Sequence, residues 1–461
     1  MRRQYTSGKT TLLIEIAKTL NPSNGIYLAY NKAIALSSSK KFPSNVKCMT
    51  IHSLAYQNTV KPLNLQLGWF NFKNIKEYLQ YEYKLIVIDM IKEFFLSDFL
   101  TFEDFKTYYQ SKFELEDKLF TIALKYIKQM FSGEINITHD GYLKLYHLMI
   151  SKKQINHNEF DLIMVDEAGD LNSVTLAIFN ELPSRKKVMV GDSYQNIYAF
   201  NNTINGFKIM KEIGIQLDMT QSFRCEESIA NKIEQFGKRN LNPDFKFKGI
   251  KKTKQEINDT KSIAYISRNN SALIAKIIEL NENNIPYNLT RPAKIIFELV
   301  LILLNLKENG TIYSQEWKHL QDDVNDFFYN EDIQRHHKTP LKYINSLYSQ
   351  DLSIKAAMNV INEHGPSLIF QSFKQAKQYE KSKNHLYTIT TAHSSKGMEY
   401  SEVHILDDLN DTVERILKKD LDERTENDQQ NLNLYYIATS RALNKLYNAK
   451  WLTQDPKKGC I

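Results

Sequence analysis

The sequence predicts an α/β protein with two parallel-sheet domains, each carrying a mostly helical insertion. Short apolar runs bounded by turn residues alternate with helical stretches towards both ends of the chain, which is typical of parallel sheets covered by helices. These predicted strands cover residues 25–30, 46–50, 162–166 and 188–191, and then 262–266, 386–390 and 403–406. Two long segments rich in aromatic residues and lysine separate the strands and have the pattern of helices.

The domain organisation follows from these interruptions. A chain of 461 residues is long enough for about three domains. Because the two helical segments break the strand patterns, we expect them to be insertions into the sheet domains. The predicted boundaries are 1–57 with 151–205 for the first sheet domain, 58–150 for its insertion, 206–304 with 384–461 for the second sheet domain, and 305–383 for its insertion.

Composition indicates a soluble globular protein, with 42% hydrophobic and 25% charged residues. The longest apolar run, 295–306, is about half as long as a bilayer-spanning helix and contains Glu298, so it predicts a buried helix and no membrane role. The first residues lead directly into a phosphate-loop pattern and leave no room for a signal peptide. We therefore expect a cytoplasmic protein, nucleoid-associated in a bacterium or nuclear in a eukaryote.

Net charge and cysteine content say less about the function. A net charge of +7 suits a polyanionic partner but also occurs in many proteins without one. The basic stretch 246–254 predicts a solvated loop, with phosphate contact as the alternative. Cys48, Cys225 and Cys460 lie far apart, so we expect free thiols rather than a disulfide framework or a zinc site.

A phosphate-loop pattern lies near the amino terminus, at Ser7-Gly8-Lys9-Thr10-Thr11, and an apolar helical run follows it. Backbone N–H groups at such a helix start face phosphates, the lysine reaches the β and γ phosphates, and the threonine hydroxyl ligates Mg²⁺. The first glycine of the full pattern is replaced by Arg3, and no strand precedes the loop. We therefore expect the first sheet to lack its amino-terminal strand, which would weaken folding and nucleotide binding.

An acidic pair, Asp166-Glu167, ends the buried strand predicted at 162–166. In phosphoryl-transfer sites one carboxylate holds Mg²⁺ through water and the next polarises the attacking water. Acidic pairs also occur at solvated strand ends and in helix caps. The phosphate loop upstream favours the catalytic interpretation.

The order of motifs along the chain resembles that of the UvrD/Rep superfamily 1 DNA helicases, and some phrases are closer still to the F-box DNA helicase branch. The similar segments are YNKA at 30–33, TIHSLA at 50–55, DEAGD at 166–170, VGDSYQNIYAF at 190–200, LDMTQSFR at 217–224, TAHSSKGMEY at 391–400 and NLYYIATSRA at 433–442. The chain departs from the family at Gly169, where a glutamine is usual, and at Thr439-Ser440-Arg441. The glutamine segment that reads adenine is also missing upstream of the phosphate loop.

The resemblance implies two RecA-like domains and an ATP-dependent DNA helicase that uses ATP and Mg²⁺. It implies that Asp166 and Thr10 hold the metal, that Glu167 activates water, and that Gln195 senses the γ-phosphate. Arg224 and Arg441, from the second sheet domain, would be arginine fingers. The other implied nucleotide-binding residues are Ser7, Gly8, Lys9, Thr11, Phe223 on the adenine, Gly397, and Glu399 on the ribose.

The resemblance also implies movement along single-stranded DNA from 3′ to 5′, and action at junctions of single strand and duplex. Aromatic faces stack on bases regardless of sequence, which suits a motor. The implied nucleic-acid contacts are Tyr30, Asn31, His52, Tyr198, Phe200, His393 and Lys396. For Tyr198 and Phe200 the alternative is core packing, and for the two histidines it is a buried hydrogen bond.

Two other functions remain open from the sequence. The chain is either a working motor or a truncated, catalytically impaired helicase that only binds nucleic acid; Arg3 favours the second interpretation, whereas Lys9, Glu167 and the two arginines favour the first. An RNA helicase is the third hypothesis, and no residue in the sequence reads the 2′-hydroxyl. Recombination or replication proteins are candidate partners.

Overall fold

The computed structural model describes residues 8–155, 157–195, 214–307, 310–311, 317–349, 351–381 and 385–454. The chain divides into two compact units, Met1–Asp218 and Met219–Ile461. Each unit contains a parallel sheet with helices packed against it, so the predicted α/β class is confirmed.

The first unit is built on a four-stranded parallel sheet with the order β2-β1-β3-β4. Its strands are β1 Gly25–Ala29, β2 Val46–Thr50, β3 Leu162–Val165 and β4 Lys187–Met189. Its helices are α1 Lys9–Leu20, α2 Lys32–Ser38, α3 Ile51–Asn58, α4 Tyr81–Leu96, α5 Phe102–Gln110, α6 Asp117–Ser132, α7 His139–Ser151 and α8 Ser173–Glu181.

Alternating side chains of the two central strands serve two different cores. Ile26 and Leu28 face a large core that includes Phe94 of α4 and the other helices between β2 and β3. Tyr27 packs on the opposite face with Leu13 of α1. Because both faces are covered, the strands are nearly continuous apolar runs, as is usual in parallel sheets.

The second unit has a five-stranded parallel sheet with the order β11-β10-β7-β9-β8 and a separate parallel pair, β5-β6. Its strands are β5 Gln221–Glu226, β6 Lys248–Ile250, β7 Ile263–Ser267, β8 Tyr287–Leu289, β9 Tyr387–Thr391, β10 Tyr400–Ile405 and β11 Ala442–Tyr447. Its helices are α9 Glu227–Asn240, α10 Lys254–Asn258, α11 Asn270–Glu282, α12 Ala293–Lys307, α13 His319–Tyr329, α14 Glu331–His337, α15 Pro340–Leu347, α16 Leu352–Tyr379, α17 Asp407–Leu417 and α18 Glu426–Thr439.

The helices that follow β7 and β8 share one core with the segment between β8 and β9. Ile277 of α11, Phe297 of α12 and Ile361 of α16 pack together with Ile389 of β9. Helix α16 bends at Gly365, whose φ is +71°, immediately before a proline. The apolar run 295–306 lies in α12, as predicted, and is largely buried.

One sequence-based expectation about local structure is wrong, and four strands were not predicted. The stretch 246–254 is not a loop throughout, because it contains β6 and the first residue of α10. Strands β5, β6, β8 and β11 lack the apolar runs that marked the others. Among the described residues no helix is long and apolar enough to cross a membrane, and Cys48 and Cys225 are free cysteines.

Candidate active site

The start of α1 has the geometry of a phosphate-binding turn. Gly8 precedes the helix with φ +83°, a left-handed conformation that favours glycine. Its carbonyl accepts a hydrogen bond of 2.7 Å from the backbone N–H of Leu12. The backbone N–H groups of the first turn and the helix dipole favour an anion at this end. Leu13 and Ala17, both fully buried, anchor the helix on the sheet.

Two contacts join the first residues of α1 to the end of β3. Lys9 Nζ lies 2.9 Å from Glu167 Oε2, and the Thr10 hydroxyl donates a hydrogen bond of 2.6 Å to Asp166 Oδ2. Lys9 is 9% exposed and Asp166 is 6% exposed. The structure thus brings together the phosphate loop and the acidic pair that the sequence singled out separately.

Three carboxylates act on the ammonium of Lys9. Burial opposes the charge on its ammonium, but the carboxylates of Glu167, Asp192 and Asp166 outweigh burial and raise the pKa of Lys9. Burial, together with the charge of Glu167, raises the pKa of Asp166. Carboxylate and hydroxyl oxygens are the ligands that Mg²⁺ prefers, so Asp166 and Thr10 fit this metal.

The backbone of Glu167 is strained. Its φ of +54° and ψ of +44° lie in the left-handed region, which is unfavourable for a residue with a side chain. Two hydrogen bonds hold this segment: Glu167 N–H donates to Asp166 Oδ1 at 2.9 Å, and Ala168 N–H donates to Val190 O at 2.9 Å. Tyr27, which the sequence did not single out, adds a hydroxyl donor 3.2 Å from Asp166 Oδ2.

Close packing accounts for the unusual Gly169. A Cβ at this position would lie 2.8 Å from the backbone oxygen of Asp192. Asp192 in turn accepts hydrogen bonds from Tyr194 N–H at 3.0 Å and from Gln195 Nε2 at 2.9 Å. Gln195 is therefore linked through Asp192 to the charges around Lys9, and Asp192 is a site residue that the sequence did not single out.

In the second unit, Arg224 pairs with Glu399. An Nη2–Oε1 distance of 2.7 Å joins them, and Arg224 is 9% exposed. Burial raises the pKa of Glu399, although Arg224, Arg441 and Lys252 favour its charged form. The ring of Phe223 is exposed, which leaves a face available for stacking.

Arg441 is buried at the end of α18. Its Nε donates to Ile437 O at 2.9 Å, and its Nη2 donates to Ser440 Oγ at 3.0 Å. Gly397, in the turn after β9, has φ +81°, so a side chain there would be strained. Of the predicted nucleotide residues of the second unit, Phe223 and Arg224 thus lie within β5, whereas Gly397, Glu399 and Arg441 lie in the turns before β10 and after α18.

The predicted nucleic-acid residues have different environments. Tyr30 follows β1 and is 53% exposed. The Asn31 side chain caps α2 by accepting a hydrogen bond of 2.9 Å from Ile34 N–H, so its oxygen already has a structural role. His52 meets Tyr142 edge to face at 6.0 Å, and burial lowers its pKa. Tyr198, Phe200 and the nucleotide residue Ser7 lie outside the described residues.

Three adjacent strands of the second sheet end in basic residues. Arg268 follows β7, Arg291 follows β8, and His393 follows β9. Burial, with the charges of Arg268, Arg291 and Lys396, lowers the pKa of His393 to about 4. The sequence singled out neither arginine: Arg268 closely follows the strand predicted at 262–266, whereas Arg291 follows β8, which was not predicted.

An acidic residue balances part of this positive charge. Asp408 Oδ2 accepts hydrogen bonds from the backbone N–H groups of Arg268 and Asn269, at 2.9 and 3.0 Å. The Arg268 side chain donates to Asn431 Oδ1 at 2.6 Å. Arg268 is thus held in place, and cationic groups at the carboxyl ends of parallel strands favour an anionic ligand.

Comparisons with known proteins agree with this arrangement. A family model described as an AAA domain matches residues 6–201. F-box DNA helicase 1 of Gallus gallus is 32% identical over 254 residues, which cover 49% of this chain and 24% of that protein. F-box DNA helicase protein 1 of Schizosaccharomyces pombe is 25% identical over 489 aligned positions, which cover 95% of this chain and 54% of that protein. The chain therefore spans less than two thirds of either relative.

Gly169→Ala tests the packing between the acidic pair and the segment that carries Gln195. The new methyl group would meet the backbone oxygen of Asp192 and force this segment to move. We expect the free energy of unfolding to fall by about 1–3 kcal/mol, the usual effect of overpacking. Urea denaturation measures it, with Ser173→Ala at the start of α8 as the control. Equal urea midpoints for Gly169→Ala and the wild type would show that the backbone of Asp192 does not pack closely against residue 169.

His393 should make the stability of the protein depend on pH. The pKa of His393, about 4, lies below the ordinary value of 6.5. The contribution of the neutral ring to the free energy of unfolding is therefore complete above pH 6.5 and is lost as pH falls towards 4. Between pH 6.5 and pH 5 the wild type should lose about 2 kcal/mol relative to His393→Asn. Urea denaturation of both proteins across this range provides the comparison. Parallel curves would mean that His393 is not held neutral by its surroundings.

Proposed function

We propose that the chain, which is similar to parts of two F-box DNA helicases, is an ATP-dependent motor that moves along single-stranded DNA. The observation that carries the proposal is the pair of contacts at the start of α1, Lys9 with Glu167 and Thr10 with Asp166. These contacts support the proposal because they join the start of α1 to two carboxylates, one of which would act as the base and the other as a ligand of Mg²⁺. This combination is what ATP hydrolysis requires.

Lys9 and Glu167 change partners when ATP binds. The Lys9 ammonium moves from Glu167 to the phosphate oxygens, which frees the carboxylate of Glu167. That carboxylate then accepts a proton from a water molecule, whose oxygen attacks the γ-phosphorus as the bond to the β–γ bridging oxygen breaks. Thr10 and Asp166 would hold Mg²⁺, which when bound neutralises charge on the β and γ phosphates.

Residues of the second unit complete the proposed chemistry. Arg224 leaves Glu399 and, with Arg441, supplies positive charge to the transferring phosphoryl group. The freed Glu399 accepts a hydrogen bond from the ribose, and the exposed ring of Phe223 stacks on adenine. Gly397 allows the turn beside Glu399. Gln195 transmits the presence of the γ-phosphate, because its partner Asp192 interacts electrostatically with Lys9.

DNA contact is proposed for residues at the carboxyl ends of strands. Tyr30 and His52 in the first unit, with His393 in the second, would stack on bases, and each stack contributes roughly 1–3 kcal/mol. Lys396, Arg268 and Arg291 would neutralise phosphates. Asn31 would contribute only its amide nitrogen, because its oxygen caps α2.

Movement from 3′ to 5′, unwinding at junctions of single strand and duplex, and partners among recombination or replication proteins are proposed by analogy with the family. A passive nucleic-acid-binding role is the second candidate, favoured by Arg3 in place of the first loop glycine. Both functions need the basic residues of the second sheet, and only the motor needs Glu167. An RNA substrate would require the same acidic pair.

ATP hydrolysis should require both Lys9 of the phosphate loop and Glu167, the proposed base. Steady-state ATPase assays with and without oligo-dT should show strong stimulation by DNA in the wild type. Lys9→Ala removes the cation that binds the phosphates, and Glu167→Gln removes the proton acceptor. Each variant should lower kcat about 100-fold or more. Glu159→Gln, at an exposed carboxylate before β3, is the control.

Absence of hydrolysis in folded wild-type protein that still binds oligo-dT would reject the motor and support the passive binder. Stimulation by oligo-U but not by oligo-dT would instead indicate an RNA substrate.

Direction of movement has a separate test. Streptavidin bound to biotin at either end of an oligonucleotide is displaced only by a motor that arrives at that end. We expect displacement from the 5′ end alone, because a 3′-to-5′ motor moves towards it. Glu167→Gln should displace neither. Faster displacement from the 3′ end would contradict the proposed polarity.

A further inference from the structure

Lys252 is the one lysine of the stretch 246–254 whose ammonium the structure joins to several oxygen atoms. Its Nζ lies 2.9 Å from Arg224 O, 2.8 Å from Leu443 O and 2.9 Å from Asn444 Oδ1. An ammonium has three N–H donors, so these contacts account for all of them. The three acceptors belong to β5 and β11, which are far apart in the chain.

Its neighbours in the same stretch behave differently. Lys246, Lys248 and Lys251 are exposed, as expected of a solvated basic segment. Lys252 is partly buried, and burial lowers its pKa. Bringing a lysine out of water costs free energy unless its hydrogen bonds are replaced, and here three oxygen atoms replace them.

Strand β5 needs such support, because its own pairing is irregular. It pairs with β6 at Gln221 and at Glu226, and the register shifts between these two positions. Phe223 and Arg224 lie within the shifted part. Another contact to β11 comes from Cys225, whose Sγ is 3.0 Å from Ala442 O. A ladder with few regular bonds leaves the backbone of Arg224 dependent on contacts of this kind.

We propose that Lys252 is a positioning residue for Arg224 and Phe223, to which the proposed function gives roles towards the nucleotide. It ties the carbonyl of Arg224 to the start of β11, directly after Arg441, and so fixes the place from which the Arg224 side chain and the Phe223 ring project. The catalytic part of this proposal rests on the ATPase proposed above. The structural part does not.

Hydrogen–deuterium exchange of the full chain tests the structural part without any activity. Lys252→Met keeps the length of the side chain and removes all three hydrogen bonds. Exchange should become at least tenfold faster in peptides covering 221–226 and 442–446, and should not change in β7. Lys251→Met, which removes the same charge at the exposed neighbour, is the matched control. Equal exchange in Lys252→Met and wild type would overturn the proposal.

Should Lys252→Met fail to fold, Lys252→Gln retains part of the hydrogen bonding and takes its place. We expect the same peptides to exchange faster, by a smaller factor. Accelerated exchange spread evenly over the whole second unit would also overturn the proposal, because it would indicate a general loss of stability and not a local support of β5.

A double-mutant cycle in the ATPase assay tests the catalytic part. Lys252→Met should lower kcat more than tenfold in the wild type, because Arg224 is no longer held in place. In an Arg224→Ala background the same change should lower kcat less than twofold, since the group that Lys252 positions is already gone. Equal losses in both backgrounds would overturn the proposed role. If the wild type itself hydrolyses no ATP, the proposed function fails, and the exchange measurement still decides the role of Lys252.

Discussion

One lysine among three carboxylates is the constraint on which the first unit depends. Lys9 is nearly buried and pairs with Glu167, while Asp166 and Asp192 add negative charge around it. An arrangement of this kind costs stability unless a cation or a partner compensates it, and the strained backbone of Glu167 adds to the cost. Buried charge and strained backbone of this kind are typical of functional sites. The Thr10 hydroxyl and the Asp166 carboxylate are oxygen ligands that fit Mg²⁺, and in the proposed function the Lys9–Glu167 pair lasts until a triphosphate replaces it.

In the second unit, too, an ion pair holds a charged side chain of the candidate site. Arg224 is held by Glu399 through its side chain and by Lys252 through its carbonyl. In the proposed function the side-chain contact is exchanged for the nucleotide, whereas the backbone contact persists. Positive charge lies just beyond the ends of β7, β8 and β9, and burial of His393, with the charges of Arg268, Arg291 and Lys396, lowers its pKa and keeps its ring neutral at physiological pH.

Much of this was visible in the sequence, because it depends on local pattern. Continuous apolar runs marked the central strands, and Gly8-Lys9-Thr10 marked the turn whose left-handed glycine the structure shows. What the sequence did not reveal depends on long-range approach. Strands β8 and β11 have mixed polarity and are strands because of their neighbours. Gly169 is small because the backbone of Asp192 lies against it, and Lys252 differs from Lys251 through three acceptors, two of which lie nearly two hundred positions away. The sequence resemblance implied that Asn31 contacts nucleic acid, and it did not reveal that the side-chain oxygen of Asn31 caps α2.

The most direct test of the central claim is a crystal structure of the protein with ADP, aluminium fluoride, Mg²⁺ and oligo-dT. In this crystal structure the Lys9 ammonium should contact the phosphate and fluoride groups and no longer Glu167. Mg²⁺ should lie beside Thr10 and Asp166, and the Glu167 carboxylate should face a water molecule. A nucleotide bound elsewhere, or a Lys9–Glu167 pair still intact at 2.9 Å beside a bound nucleotide, would contradict it.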